Sequence, residues 1–338
     1  MILIDFSGLV FKNIYGIIKS LNLPLENGKY KIDDALVPIQ NFILNDIFDV
    51  QKQFNDNNVV LCIDNTYKGS WRKNIYKRYK SHRKTSREEN PIPFDVIFTR
   101  INDLVTALDK YTSYKVIKVE GAEGDDCILS ICENVRNEDI IIYSSDKDML
   151  QMQKYNNVRQ FSPLLKKYIS YKEKHENLNE WLIEHIVLGD DVDEVPKIFN
   201  ETEFSDEFKE FMTNNNLLFS VEEYLNFSDD ELKEINFTGE VFKRVRIGKK
   251  TIEKHIKNNT LKDLIQSNDL YLKNFHRNKQ LILAEYIPNE IKIECMKQLN
   301  AQKQEDQEAF ADYLNLHGLG MVQFNMPNYT PVVKLDIW

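Results

Sequence analysis

Glu123, Asp125 and Asp126 crowd three carboxylates into four positions of the stretch GAEGDD, Gly121 to Asp126. Such acids repel one another, and burying one without a partner is costly. Helix capping answers part of the problem, since an acid in a first turn gains roughly 0.3–1 kcal/mol from the helix dipole, enough to account for one or two of the three. Cation binding answers the rest. Further acids stand where apolar runs end: Asp5 after ILI, Asp64 after VVLCI, Asp146 and Asp148 after IIIYSS, and Asp190, Asp191 and Asp193 within Gly189 to Pro196, GDDVDEVP. Asp is common in turns that follow strands, so each alone has a local explanation. Their recurrence at every strand end points to a shared site. Such a set of carboxylates exceeds what a single calcium or zinc requires, and no His-Cys ligand pattern accompanies it. Magnesium fits, with two Mg2+ ions about 3.5–4 Å apart able to stabilise the attacking and leaving oxygens of phosphodiester hydrolysis, and Mn2+ expected to substitute. Glu123 and Asp126, three apart, can share a helix face while Asp125 points elsewhere, which makes Asp125 the expected direct ligand on a turn between the two ions.

These acids need a scaffold that brings strand ends together. Residues 2–5, 59–64, 114–120 and 138–145 are Val- and Ile-rich runs of strand length. Between them, 31–54 and 94–111 carry apolar residues at the three-to-four spacing of a helix with one buried face. The alternation predicts an α/β fold with a mostly parallel central sheet flanked by helices, whose sites form at the carboxyl ends of the strands. Residues 157–174 read as a hairpin-like strand pair, and the chain beyond is mainly helical to about residue 316. Residues 199–242, acidic and rich in Asn and Phe, read as an inserted helical subdomain. The predicted organisation is a nuclease-type domain over 1–188, a helical domain over 189–300 and a C-terminal helix and tail over 301–338.

The formal net charge of −9 hides a strong segregation. From Lys68 to Arg87 there are nine Lys or Arg and no acid, with Trp71, Tyr76 and Tyr79 interleaved; seven more basic residues lie between Lys243 and Lys257 with Glu253 alone opposing them. The segment Tyr67 to Asn90 shows no buried face and suits phosphate backbones and stacked bases. Gly248-Lys249-Lys250-Thr251 opens a helix and could cradle a phosphate, though a plain helix start explains it almost as well.

With 338 residues, 42% hydrophobic, and a mean hydropathy of −0.48, the chain is expected to be a soluble, cytoplasmic monomer with no membrane association. Cys62, Cys127, Cys132 and Cys295 form no CxxC pair and read as reduced core residues. A phosphatase with an aspartyl nucleophile would want a second Asp two positions after Asp5, where Ser7 stands. A receiver domain is too short for this chain. A non-catalytic binder of branched DNA could own the basic segments but would have no reason to keep the acids.

Together, EGDD at Glu123 to Asp126, SSDKDMLQ at Ser144 to Gln151, GDDVDEVP and WRKNIYKRYKSHR resemble, over about residues 1–300, the 5′ nuclease (flap endonuclease) family, in particular its ribonuclease H branch of T-even bacteriophages. The resemblance implies a PIN-like fold and a metal-dependent nuclease, acting on RNA primers and 5′ flaps in replication, with branched or nicked DNA and RNA-DNA hybrid as partners. It implies metal-centre roles for Asp5, Asp64, Glu123, Asp125, Asp126, Asp146, Asp148, Asp190 and Asp193, with Asp191 at a variable position. A helical arch matches 67–90, with Arg72, Tyr79, Lys80 and Arg83 placed to contact or polarise the scissile phosphate and Lys77, Arg78, Lys84 and Arg87 to hold the strand. The family's helix-turn-helix would begin near Asp190 and resume around Arg246 to Ile256, split here by 199–242, with Arg246, Lys249, Lys250 and Thr251 as its DNA contacts. The tail KLDIW, Lys334 to Trp338, resembles segments that dock on a sliding clamp; a single-stranded DNA-binding protein is a further expected partner.

Overall fold

The computed structural model describes residues 1–243, 247–320 and 322, and for Lys84, Thr85, Ser86, Glu88 and Asp229 the backbone alone. Its contacts divide the chain into two compact units that interleave in sequence. One holds residues 1–69, 83–170 and the described part of 288–338; the other holds 70–82 and 171–287. The units thus do not follow the linear division expected from sequence.

The first unit is built on a six-stranded sheet. Its strands are β1 (Ile2–Asp5), β4 (Val59–Cys62), β5 (Lys115–Ile117), β6 (Ile140–Tyr143), β7 (Val158–Ser162) and β8 (Lys167–Ile169), in spatial order β5-β4-β1-β6-β7-β8. A separate short hairpin joins β2 (Leu25–Glu26) and β3 (Lys29–Tyr30). All neighbours in the large sheet run parallel except β7 and β8. β1, β4 and β6 form strands because their runs are apolar on both sides and buried almost throughout, as a parallel sheet covered on two faces demands. Ile2, Ile4, Val59, Leu61, Ile141 and Tyr143 pack with helices α1 (Phe6–Leu21), α2 (Asp33–Phe54), α4 (Phe94–Tyr111) and α14 (Gln307–Leu316). The alternate residues face α5 (Gly124–Asn134) and α13 (Asn289–Leu299), which pack on each other and on the sheet. Winding runs outward from β1 through β4 to β5, then crosses back to β6, so the order reverses at β1, where sheets of this kind open a crevice.

All four cysteines are buried and unbridged. Burial drives the Cys62 thiol well above its ordinary pKa, with neighbouring acidic and thiol groups adding to the rise. Short helix α3 (His82–Glu89) belongs to the first unit from Arg83 onward.

In the second unit, α6 (Leu178–Leu188), α10 (Lys249–Lys257), α11 (Leu261–Gln266) and α12 (Asp269–Ile282) share a core of Val187, Ile198, Phe199, Ile252, Leu261 and Ile265. The insertion folds separately as α7 (Asp206–Asn214), α8 (Val221–Leu225) and α9 (Asp229–Ile235). Ser205, Ser220 and Ser228 each cap one of these helices, which is why an acidic, Asn-rich stretch forms three short helices rather than a linker. Phe204, Phe208, Met212 and Tyr224 form the insertion's own core.

Candidate metal centre

Seven of the nine expected metal-centre acids lie in the first unit, at one end of its sheet. Asp5 closes β1 and caps α1: its Oδ1 accepts from the Gly8 N–H at 2.9 Å and its Oδ2 from the Ser144 hydroxyl at 2.8 Å. Register places Asp5 beside Cys62 of β4, two residues before Asp64. Asp64 is exposed, and its Oδ1 accepts the Gly124 N–H at 2.7 Å, tying the end of β4 to the start of α5. Gly124 is required there, because a Cβ would lie 2.8 Å from the Cys62 carbonyl oxygen and 3.3 Å from Asp64 Oδ1.

The three crowded acids divide their work. Asp126 is fully buried, and its Oδ2 accepts the Glu123 N–H at 2.9 Å, so it does the capping that elementary helix physics offers. Glu123, at the N-cap, is also buried, whereas Asp125 is half-buried. Asp146, exposed after β6, accepts the Asp148 N–H at 2.8 Å while its own N–H donates to Ser144 Oγ at 3.1 Å. Asp5, Asp64 and Asp146 are thus each oriented by a backbone N–H, and Asp5 by a hydroxyl as well.

Sequence reasoning missed two residues that position these acids. Ser144 bridges Asp5 and Asp146. Gln160, 1% exposed on β7, donates from Nε2 to the carbonyls of Ser144 at 3.0 Å and Asp146 at 2.5 Å, fixing the turn after β6. Its signal was available: a Gln inside the strand run VRQFS must find partners if it is buried.

The remaining two acids belong to the second unit and are not on a helical turn. α6 ends at Leu188, and Gly189 follows at φ 65°, where a Cβ would strike the Val195 and Pro196 carbonyl oxygens. Asp190 pairs with Val195 in a short bridge, and its Oδ1 accepts from the Val192 and Asp193 N–H groups at 2.7 and 3.2 Å. No helix starts at Asp190 among the described residues: α6 ends at Leu188 and the next helix, α7, begins at Asp206. The Asp193 carboxylate meets Tyr79 Oη at 3.1 Å and Lys80 Nζ at 3.1 Å.

The basic segment has the buried face that its sequence concealed. Arg72, Tyr76 and Tyr79 are 4%, 6% and 3% exposed. It is helical only in part, with a 3-10 turn at Trp71–Asn74 and α3 from His82. Arg72 Nε donates to the Leu281 carbonyl at 2.8 Å, and its guanidinium lies 4.5 Å from the Trp71 ring. Tyr76 and Tyr79 join Ile186, Val195, Leu281 and Ile282 in a small core, with the Tyr79 ring inward rather than open to a base. The Lys80 N–H also donates to the Asp193 carbonyl, with Lys80 itself at φ 52°. Lys77 and Arg78 are both held by residues of the insertion. In the first unit, Arg83 is half-buried and the Arg87 guanidinium sits 6.0 Å from the Phe98 ring. For Lys84 only the backbone is described.

Lys249 Nζ lies 2.5 Å from Oε1 of the buried Glu184, so this member of GKKT pins α10 to α6; Lys250 and Thr251 are exposed. Arg246 and Lys334 to Trp338 lie outside the described residues.

The donor set of the first unit, all carboxylate oxygen, suits hard divalent cations such as magnesium. The profile of the family described as "5'-3' exonuclease, N-terminal resolvase-like domain" matches residues 1–185. Ribonuclease H of Enterobacteria phage T4 is 31% identical over 207 residues, 60% of this chain and 64% of that protein. A 5'-3' exonuclease of Buchnera aphidicola subsp. Schizaphis graminum is 29% identical over 154 residues, 45% of this chain and 48% of that protein. The chain thus spans under two thirds of the length of these relatives. Among solved structures, T5 5'-exonuclease with bound zinc aligns over 94% of this chain and 99% of its own at TM-score 0.53 and 14% identity, a likeness of fold. With more than half of its length matched by that profile, the chain belongs to the 5'-3' exonuclease family with the N-terminal resolvase-like domain.

Proposed function

We propose that this protein is a magnesium-dependent 5′ to 3′ nuclease that hydrolyses phosphodiesters of RNA primers and 5′ flaps. The observation that carries the reading is the gathering of Asp5, Asp64, Glu123, Asp125, Asp126, Asp146 and Asp148 at the carboxyl ends of β1, β4 and β6 and the start of α5. The names of the family and of the T4 relative support it. Asp5, Asp64, Asp125, Asp146 and Asp148 are the residues that would hold the ions. Glu123 and Asp126 shape the turn that carries Asp125. Ions bound there supply charge neutralisation at the attacked phosphate and activation of water. The chain's own part is orientation: the Gly8, Gly124 and Asp148 N–H groups and the Ser144 hydroxyl fix the directions of Asp5, Asp64 and Asp146. The basic residues of 67–90 would draw in the phosphate backbone, with branched or nicked DNA and RNA-DNA hybrid as substrates.

Asp146→Asn tests this. The variant should bind a 5′-flap substrate as the parent does and lose roughly 10–100-fold or more of its magnesium-dependent cleavage, the range typical for disturbed metal sites. Full activity would sink the metal-centre reading. For the tail, deleting Lys334 to Trp338 should abolish stimulation by a sliding clamp and spare basal cleavage; unchanged stimulation would remove the clamp from the list of partners.

A further inference from the structure

Residues 199–242 hold twelve Asp or Glu and two Lys, a net −10 in a chain of net −9, so the rest of the protein carries +1. The whole of the negative balance resides in one subdomain. That subdomain grips the basic segment. Arg78 lies 5.3 Å from the Tyr224 ring and 5.9 Å from the Phe242 ring, and its Nη1 is 3.5 Å from Glu201 Oε1. The Lys77 ammonium donates to the Asn226 carbonyl. Glu201, at the root of the insertion, also accepts from the Tyr76 hydroxyl at 3.0 Å and pairs with Arg277 at 3.2 Å, while Arg277 lies 4.7 Å from the Tyr76 ring. Lys77 further helps hold the exposed Glu231 carboxyl below its ordinary range, after the larger effect of the Ser228 hydroxyl and N–H. Two cations facing aromatic rings, a carboxylate and a carbonyl are thereby engaged by groups of the kind that would otherwise be phosphate and base.

We propose that the insertion is an intramolecular competitor for nucleic acid, an acidic subdomain that occupies Lys77 and Arg78 and so weakens the chain's sequence-independent hold on phosphate. The proposal rests on the reading of 67–90 as a nucleic-acid contact. The insertion has its own core and closes on itself: Phe204 bridges Phe242, and the Lys243 N–H donates to the Glu203 carbonyl at 2.8 Å. Its ends are therefore adjacent, and an Asn-Gly turn can join Glu203 to Lys243 in place of 204–242.

The experiment measures binding of a fluorescent 5′-flap DNA, without divalent metal, across a KCl series. Each phosphate contact contributes about 0.7–0.9 to the slope of log affinity against log salt, so the shortened chain should bind about tenfold more tightly at low salt with a slope steeper by about 0.7–1.8. Lys77→Ala with Arg78→Ala in the shortened chain should restore the parent slope. A steeper slope that those alanines leave untouched would assign the effect to net charge alone and overturn the proposal. So would an unchanged slope in a shortened chain that melts cooperatively. Should the shortened chain not fold, Glu201→Gln with Phe242→Leu removes two of the holds on Arg78 in the full chain; a steeper slope supports the proposal and an unchanged one overturns it. The underlying reading fails separately: if Lys73→Ala with Arg87→Ala in the full chain leaves flap binding unchanged, 67–90 is not a nucleic-acid contact.

Discussion

The acidic end of the sheet and the basic segment 70–82 are both charged, yet they are ordered by opposite means. Asp5 and Asp146 accept from N–H groups two or three positions along the chain, those of Gly8 and Asp148. The Gly124 N–H meets Asp64 and the Ser144 hydroxyl meets Asp5 because the sheet sets its strand ends side by side, so the fold of the strands and the first turns of helices orients these acids. Segment 70–82 takes its order from side chains and carbonyls of elements outside the sheet: Arg72 from Leu281, 209 positions away, Tyr79 from Asp193 and Arg78 from Glu201. The first arrangement comes with the sheet; the second exists only while distant elements stay packed. A cation site would gain from rigid donors, whereas a segment that admits a nucleic acid, as proposed for 67–90, would gain from replaceable ones.

The comparison breaks most visibly if the insertion is emptied. Phe208→Ala removes a fully buried ring from its aromatic core and should cost about 3–5 kcal/mol locally. Hydrogen exchange should quicken across 204–242 and 76–78 while the β1, β4 and β6 amides stay protected; equal loss in both would mean that the regions are not independently ordered. A smaller effect is expected in the first unit. Gly124→Ala forces a Cβ against the Cys62 carbonyl, and should lower stability by about 1–3 kcal/mol while weakening magnesium binding measured by calorimetry, because Asp64 loses its N–H partner geometry. Unchanged metal affinity would show that Asp64 is not held through that contact.

The smallest effect should come from Glu133 on α5, which pairs with Lys292 at 2.9 Å and Lys154 at 3.3 Å. Burial alone pushes this carboxyl up, but the two lysines together bring it below the ordinary range. A lowered carboxyl contributes stability above its unfolded value and loses it as pH falls through the folded one. Glu133→Gln should therefore cost about 1 kcal/mol in melting experiments near neutrality, and the gap to the parent should close below about pH 4. A gap that widens in acid would contradict the pairing.

The same contrast explains what could be read from sequence. Strands, the bounds of α4, the β7–β8 hairpin and the helical nature of the insertion were legible, since Val- and Ile-rich runs and apolar spacing encode burial within a few residues. The convergence of Asp5, Asp64, Asp125 and Asp146 was legible because a parallel sheet puts strand ends side by side. The buried face of Tyr76 and Tyr79 was not, since the partners that cover it, Ile186, Val195, Leu281 and Ile282, show no local pattern with that segment. The pairing of Lys249 with Glu184, 65 positions away, was likewise not legible, since nothing near GKKT signals it. Capping by Asp126 was the modest explanation, and the buried carboxylate fulfils it.

One feature of the first unit bears on how the protein is made. Helix α13 belongs to that unit, covering β5 and α5 through Lys292 to Glu133 and Gln298 to the Lys118 N–H at 2.9 Å, yet it follows the whole second unit in the chain. At roughly 5–20 residues per second, a ribosome needs roughly 6–24 s to travel from the end of β8 to α13. During that interval the sheet and its carboxylates are present without α13 on one flank and α14 on the other, and the first unit is finished only after the second has been synthesised.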